Sequence, residues 1–428
     1  MSLTKISLLS YLKQEQIIND YWHDCLRYEL DKNIYYYGNH FKRSREFVQN
    51  SKIEKLKYAF KLFSLKIEGK LRKKIIDKSK PVIISNAYFN FNDELAKIGF
   101  IVIQPPWTND RSYWGYYDAE LIDMCIKIRS IFEFSDFNHF LSKEFIELLE
   151  KFAGLFKSFI SKQQIAALVV PNDESFFENL SIKIFKELKL STFIFLHGLT
   201  VNYNGIDEHR SDYLIVWGKK LKELYVKSGM EEKKIFISGH PKYQLRIKEP
   251  IQFSLNNILV ITKAIPGSPH SDGVIFSDRG NLIVYLLSIQ KILQKCNVER
   301  VRLRPHPSES MDWYMKFLDK DFFIPDTDHL PASLAKTSLI IGPVSSVFLD
   351  AISSKVNYLV YEPKIGDKNI LNRKLNPPYD GSDVRVPVAY DEETLLKFLK
   401  EKKCADADFL NDYLQTPFDV SFMKELIK

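Results

Sequence analysis

Apolar positions fall into two rhythms along this chain. From residue 81 onward, short runs rich in β-branched and aromatic residues alternate with stretches whose apolar residues return every third or fourth position, which predicts strand and helix in turn. The predicted strands are 81–86, 100–104, 166–170, 192–196, 213–217 and 234–238, followed by 257–262, 301–304, 338–342 and 358–361. Clear helices are predicted over 142–162 and 281–295. Continuous apolar strands separated by helices make parallel sheets covered on both faces. The rhythm pauses at 250–256, a polar stretch, so two doubly wound α/β units facing across a cleft are expected: residues 1–250, residues 255–395, and closing helices over 396–428. No internal repeat or low-complexity tract interrupts this reading.

Before residue 81 the pattern is mostly helical, except that Ile34-Tyr35-Tyr36-Tyr37-Gly38 reads as a strand ending in a turn. Leu56, Phe60, Phe63, Ile67, Leu71 and Ile75 recur at helical steps as one apolar stripe. The window that opens at Lys42 and closes at Lys80 holds fourteen Lys/Arg against four Asp/Glu, more than the whole chain's net charge of +7. Two readings follow: a basic amphipathic helix lying on anionic lipid, or a surface helix packed on its own domain with a solvated basic face. Nucleic acid is not the expected partner, because no nucleic-acid module accompanies the charge.

Length and an apolar content of 45% fit a folded protein of two domains. Four cysteines, Cys25, Cys125, Cys296 and Cys404, stand without paired spacing, which argues for reduced thiols in a cytosol and against a zinc site. The expectation is a cytoplasmic protein without a spanning helix or secretion signal, in peripheral contact with the inner membrane.

The chemistry concentrates at two strand-to-helix junctions. One is Arg304-Pro305-His306-Pro307, with Ser308 placed to cap a helix; the other is Gly342-Pro343-Val344-Ser345-Ser346. Both are expected at the carboxyl ends of parallel strands, where bare N–H groups, two hydroxyls and the charges of Arg304 and His306 suit a phosphate. Each motif alone also reads as a turn or a cap.

Arg304-Pro305-His306-Pro307 followed by Pro343-Val344-Ser345-Ser346 resembles the HP and SS motifs of bacterial GT-B glycosyltransferases that build surface polysaccharides. These include Kdo transferases and sialyltransferases using CMP-sugars and, more distantly, the CDP-glycerol polymerases of teichoic acid synthesis. The likeness spans about residues 165 to 365. It implies a GT-B fold of two Rossmann-like domains and a CMP-activated donor, most of all CMP-Kdo. It also implies a capsule or lipopolysaccharide glycan acceptor, and contacts from His306, Ser345 and Ser346 to the donor phosphate. No cofactor and no metal are implied.

Further candidates follow from position. Lys263 ends the first strand of the second unit and is read as a phosphate or carboxylate ligand, or as an ordinary exposed lysine. Glu362, past the strand 358–361, is read as a ribose acceptor or as facing water. For the base or nucleophile the choices are Asp173 and Glu174, placed where the related sialyltransferases carry their acid motif but without an Asp-Asp-Gly, and the rival pair His270 and Asp272. His197 ends a strand and is expected to orient substrate. The aromatic stretch 107–117 suits sugar stacking or a plug onto the core, and Asp326-Thr327-Asp328 matches a metal-binding triplet of another glycosyltransferase fold by chance. Rival functions are a UDP-sugar epimerase on the same scaffold and a non-catalytic glycan-binding subunit.

Overall fold

The computed structural model describes residues 18–38, 60, 63, 67, 71, 74–77, 79–108, 111–134, 142–199, 211–244, 249–263, 279–307, 309–365, 368–369, 371 and 375–427. The chain begins with α1 (Asp20–Gly38) and enters the first sheet at β1 (Val82–Ser85). It continues through α2 (Asn92–Lys97), β2 (Ile101–Ile103), α3 (Ala119–Phe134), α4 (Lys143–Lys162) and β3 (Ile165–Val170). Next come α5 (Phe176–Glu187), β4 (Ser191–Phe195), β5 (Tyr213–Val216), α6 (Lys219–Lys227) and β6 (Ile235–Ile237). These six strands form one sheet in the order β2-β1-β3-β4-β5-β6, every pairing parallel.

The second sheet starts with β7 (Ile258–Ile261) and α7 (Arg279–Gln294), followed by β8 (Val301–Arg304), α8 (Met311–Tyr314), β9 (Phe323–Pro325) and α9 (Leu330–Ala335). It ends with β10 (Leu339–Gly342), α10 (Val347–Ser353), β11 (Asn357–Tyr361), a small hairpin β12 (Lys364–Ile365) and β13 (Lys368–Asn369), and β14 (Val388–Ala389). Its order is β14-β11-β10-β7-β8-β9, again wholly parallel. Two doubly wound Rossmann-like sheets, the GT-B construction, are therefore present.

The strands look like uninterrupted apolar runs because both faces are covered. Along β7, Leu259 and Ile261 enter a core shared with the first unit, while Ile258 and Val260 enter a second core under α7. Helix α4 shows the complementary rule. Ser142 caps it by accepting from the Phe145 N–H at 3.1 Å, and Phe145, Leu149, Phe152, Phe156 and Phe159 form its buried stripe.

One sequence expectation changes here and one open alternative is decided. The run 34–38 continues helix α1 and is not a strand. Aromatics give up only a few tenths of a kcal/mol of helix propensity, so a helix already started at Asp20 runs through them. The aromatic stretch 107–117 is a plug. Trp107, Trp114 and Tyr117 are buried, Trp107 stacks on Phe177 at 5.1 Å, and Tyr117 donates to the Gln104 carbonyl at 2.7 Å.

After β14, α11 (Glu392–Lys400) packs on the second sheet, and the chain then returns to the first unit through α12 (Phe409–Tyr413) and α13 (Met423–Leu426). The Gln415 N–H bonds to the Trp217 carbonyl at 2.8 Å, Asp419 N–H to Ser238 at 2.7 Å, and the Ser191 hydroxyl to Leu426 at 2.7 Å. Glycine makes this approach possible, since a Cβ on Gly218 would collide with the Tyr413 carbonyl and one on Gly239 with that of Gln415.

Gly218→Ala should therefore loosen the returning segment and cost about 1–3 kcal/mol in urea unfolding. Gly154→Ala, at an open helical position, should be neutral or stabilising.

Candidate functional site

Each sheet reverses its winding at one point. In the second sheet the chain leaves β7 for β8 and β9 on one side, then crosses to β10, β11 and β14 on the other, so the switch lies between β7 and β10. Open parallel sheets hold ligands in the crevice at the carboxyl ends of such strands. The residues standing there are Thr262 and Lys263 after β7, His306 after β8, and Pro343 to Ser346 after β10.

The two motifs are not on adjacent strands: β7 lies between them, a lateral separation of about 10 Å at two strand spacings. Thr262 holds the first of them in place. Its hydroxyl accepts from the His306 N–H at 3.0 Å and donates to Glu309 at 2.6 Å, and Tyr314 donates to the same carboxylate at 2.9 Å. His306 is half-buried and Pro307 exposed; Ser308 lies outside the described residues, and the cap of α8 is Ser310, accepting from Trp313 N–H at 3.4 Å. Ser345 is half-buried and accepts from Val347 N–H at 3.3 Å. Ser346, exposed, is the N-cap residue of α10 with helical dihedrals and no capping bond from its side chain. Lys263 is half-buried at the end of β7.

Arg304 points elsewhere. Its Nη1 donates to the Asp328 carbonyl at 2.9 Å, Nη2 reaches the same oxygen, and Nε lies 3.1 Å from the Asp326 carboxylate. Arg302 pairs with that carboxylate from the other side at 3.0 Å, and the Ser333 hydroxyl donates to it at 2.7 Å. Burying Asp326 demands these partners, and the demand draws both arginines toward β9. The 326–328 triplet is thus occupied by cations. The Lys336 ammonium, 2.9 Å away, holds Asp328 below its ordinary carboxylate value. Among the described residues no group of three metal-ligating side chains converges.

Glu362 faces neither water nor an open crevice. It is wholly buried, one oxygen accepting from the Val344 N–H at 2.7 Å and the other from the Asn369 amide at 2.8 Å. Tyr358 donates to the Pro343 carbonyl at 2.6 Å. Together they clamp the turn that presents Ser345 and Ser346. Tyr358 escaped the sequence reading because a tyrosine in an apolar strand reads as core, and only its register beside β10 brings the hydroxyl under that turn.

In the first sheet the switch lies between β1 and β3, which puts Asn86 to Phe89 opposite Asp173 and Glu174. Asn172 accepts from the N–H groups of Glu174 and Ser175 at 3.1 and 2.9 Å, an Asx turn that opens α5. Asp173 is buried and Glu174 half-buried on that turn. Beneath it, Glu178 accepts from Asn86 at 2.9 Å and Trp107 at 3.3 Å, and burial raises its carboxyl above the ordinary range. No motif announced Glu178; only its i+4 offset from Glu174 on α5 placed it near the edge. His197 is exposed after β4, its ring centroid 6.4 Å from that of Tyr88. His270 and Asp272 lie outside the described residues.

The carboxyl edges of the two sheets meet through the segment after β6. Tyr243 donates to Asp350 of α10 at 3.0 Å, and Lys242 pairs with the same carboxylate. His240 is enclosed by Phe89 at 4.1 Å, Trp217 at 4.5 Å and Tyr243 at 4.5 Å, and its Nδ1 accepts from Lys242 N–H at 3.1 Å. Burial first, and the Lys242 charge second, depress the imidazole from its ordinary 6.5 to about 3.

No family model matches the chain, and no curated protein sequence matches it. Among solved structures it is similar to UDP-GlcNAc 2-epimerase from Neisseria meningitidis bound to UDP-GlcNAc, at 12% identity over 81% of this chain and 97% of that chain, with a TM-score of 0.43. It is also similar to the lipopolysaccharide outer core galactosyltransferase WaaB in its apo form, at 8% identity over 81% and 98%, TM-score 0.42. A third is Acinetobacter baumannii MurG, at 9% identity over 81% and 99%, TM-score 0.42. Strand order, rather than these matches, defines the fold.

Glu362→Ala leaves the buried Val344 N–H without its acceptor and should cost about 1–3 kcal/mol in chemical unfolding. The pH dependence follows from His240. Its folded value lies below its unfolded one, so the unfolded chain takes the extra proton between pH 6.5 and about 3. The stabilisation is complete above 6.5 and is lost as pH falls through that window. The urea midpoint should drop between pH 7 and 5, and His240→Asn, which keeps an acceptor for Lys242 N–H, should flatten that slope.

Proposed function

We propose that this chain is a nucleotide-sugar glycosyltransferase that moves a sugar from a CMP-activated donor to a glycan or lipid-linked glycan acceptor. The observation that carries the reading is that the His306 and Ser345–Ser346 loops lie on either side of β7, at the switch point of the second sheet, while Asp173 and Glu174 stand at the switch point of the first.

In this mechanism the leaving phosphate is met by Lys263, His306 and the two serine hydroxyls, which stabilise charge as the glycosidic bond breaks. Arg304 takes no part, because its guanidinium is spent on Asp326 and Asp328. Glu362 and Tyr358 act one step back, holding the serine turn in shape. A carboxylate of the first unit, Asp173 or Glu174, takes the acceptor proton; His270 and Asp272 are the rival set. Phosphate charge met in this way needs no metal. Kdo is the preferred sugar, on the motif resemblance, with sialic acid next and CDP-glycerol as the more distant donor.

Thermal unfolding with CMP, CDP and UDP tests the donor class. Ligand at about 100 times its Kd contributes about 2.7 kcal/mol, so CMP should raise Tm by several degrees and Ser345→Ala/Ser346→Ala or His306→Ala should abolish most of the shift. Protection by UDP alone, with UDP released from a UDP-sugar in the absence of any acceptor, would replace the transferase with an epimerase. With CMP-Kdo and a glycan acceptor, Asp173→Asn should lower CMP release by at least about a hundredfold, the low end for loss of a general base.

A further inference from the structure

The apolar stripe before the first sheet is turned outward. Phe60, Phe63, Ile67 and Leu71 are helical and 74%, 62%, 45% and 81% exposed, and Ile75 just beyond them is 90% exposed. The next residue, Ile76, is buried in the first core, so the outward-facing stripe ends there. The Lys74 N–H bonds to the Gly115 carbonyl at 2.8 Å and its ammonium lies 5.1 Å from the Tyr116 ring centroid, which fixes the end of the stripe against the body of the protein.

Four helical side chains at steps of three and four fall on one face, a strip of about 17 Å at 1.5 Å per residue. A packed surface helix turns such a face inward. Here it is open to solvent, and its sequence neighbours Lys61, Lys66, Lys70, Arg72 and Lys73 belong to the window 42–80 with its surplus of ten positive charges. Aromatic and branched apolar side chains within a cationic segment suit one kind of partner, a bilayer surface carrying negative headgroups. The apolar groups enter the acyl boundary and the ammonium groups remain at the phosphates. A second copy of this chain is disfavoured, because it would bring two such cationic windows together.

We infer that the exposed apolar face of Phe60, Phe63, Ile67, Leu71 and Ile75 is a docking surface for anionic membrane. Co-sedimentation of the full chain with vesicles of phosphatidylcholine alone and with 30% phosphatidylglycerol tests it. Anionic vesicles should bind at least tenfold more protein than neutral ones at low salt, and 0.5 M NaCl should remove most of that difference. Phe63→Ser/Leu71→Ser should lower binding at least fivefold with Tm unchanged, and Lys70→Glu/Lys73→Glu should erase the preference for negative lipid. Equal partition to both vesicle types, or undiminished binding by both double variants, overturns the proposal. So does a wild-type dimer that Phe63→Ser/Leu71→Ser converts to monomer without any vesicle binding, because the stripe would then be a self-interface.

Discussion

Parallel pairing is the constraint from which the rest of this molecule follows. A parallel strand needs a crossover to reach its neighbour, and the crossover helices cover both faces of the sheet. The sheet is left with only its edges and its two ends for polar business. All the loops that leave strands therefore collect at one end, and where the winding reverses they part to leave a crevice. Both sheets obey this. One crevice collects Lys263, His306 and the Ser345–Ser346 turn, the other Asn86, Asp173 and Glu174.

Within the second crevice, the competition for cations decides which groups stay available. Asp326 is nearly buried and would be costly to leave unpaired, so it takes both Arg302 and Arg304. The backbone N–H of His306 is held by Thr262. The serine turn is shaped from below by Glu362 and Tyr358, two groups that never reach the crevice. Two buried carboxylates, Glu362 and Glu178, serve as braces. Glu178 does for the first sheet's edge what Glu362 does for the second's.

The two units share more than a linker. The final segment returns to the first sheet and is held there by backbone bonds at Trp217 and Ser238 that only glycine neighbours permit. On the opposite approach, Tyr243 and Lys242 reach Asp350 on the helix that follows the serine turn. The spacing between the crevices is thus set by contacts near both, and a change in the length of either connection would alter it.

The positions of most strands, the doubly wound class and the two loops bearing His306 and Ser345–Ser346 were legible in the amino-acid order, because period and β-branching report burial directly and glycine or proline marks where a strand must stop. Strands β9 and β14 were not, being too short to show a period. Nor did the order of residues reveal that Arg304 would be claimed by Asp326, that Glu362 would lie beneath a turn, or that 107–117 would fill a core rather than line a surface. Those outcomes depend on which side chains meet across β8 and β9, across β10 and β11, or across α4 and α5, and a local pattern holds no information about distant partners. The stripe at 60–75 is the reverse case: its amphipathic character is written in the sequence, but whether it faces inward or outward is settled only when the rest of the chain has taken its place.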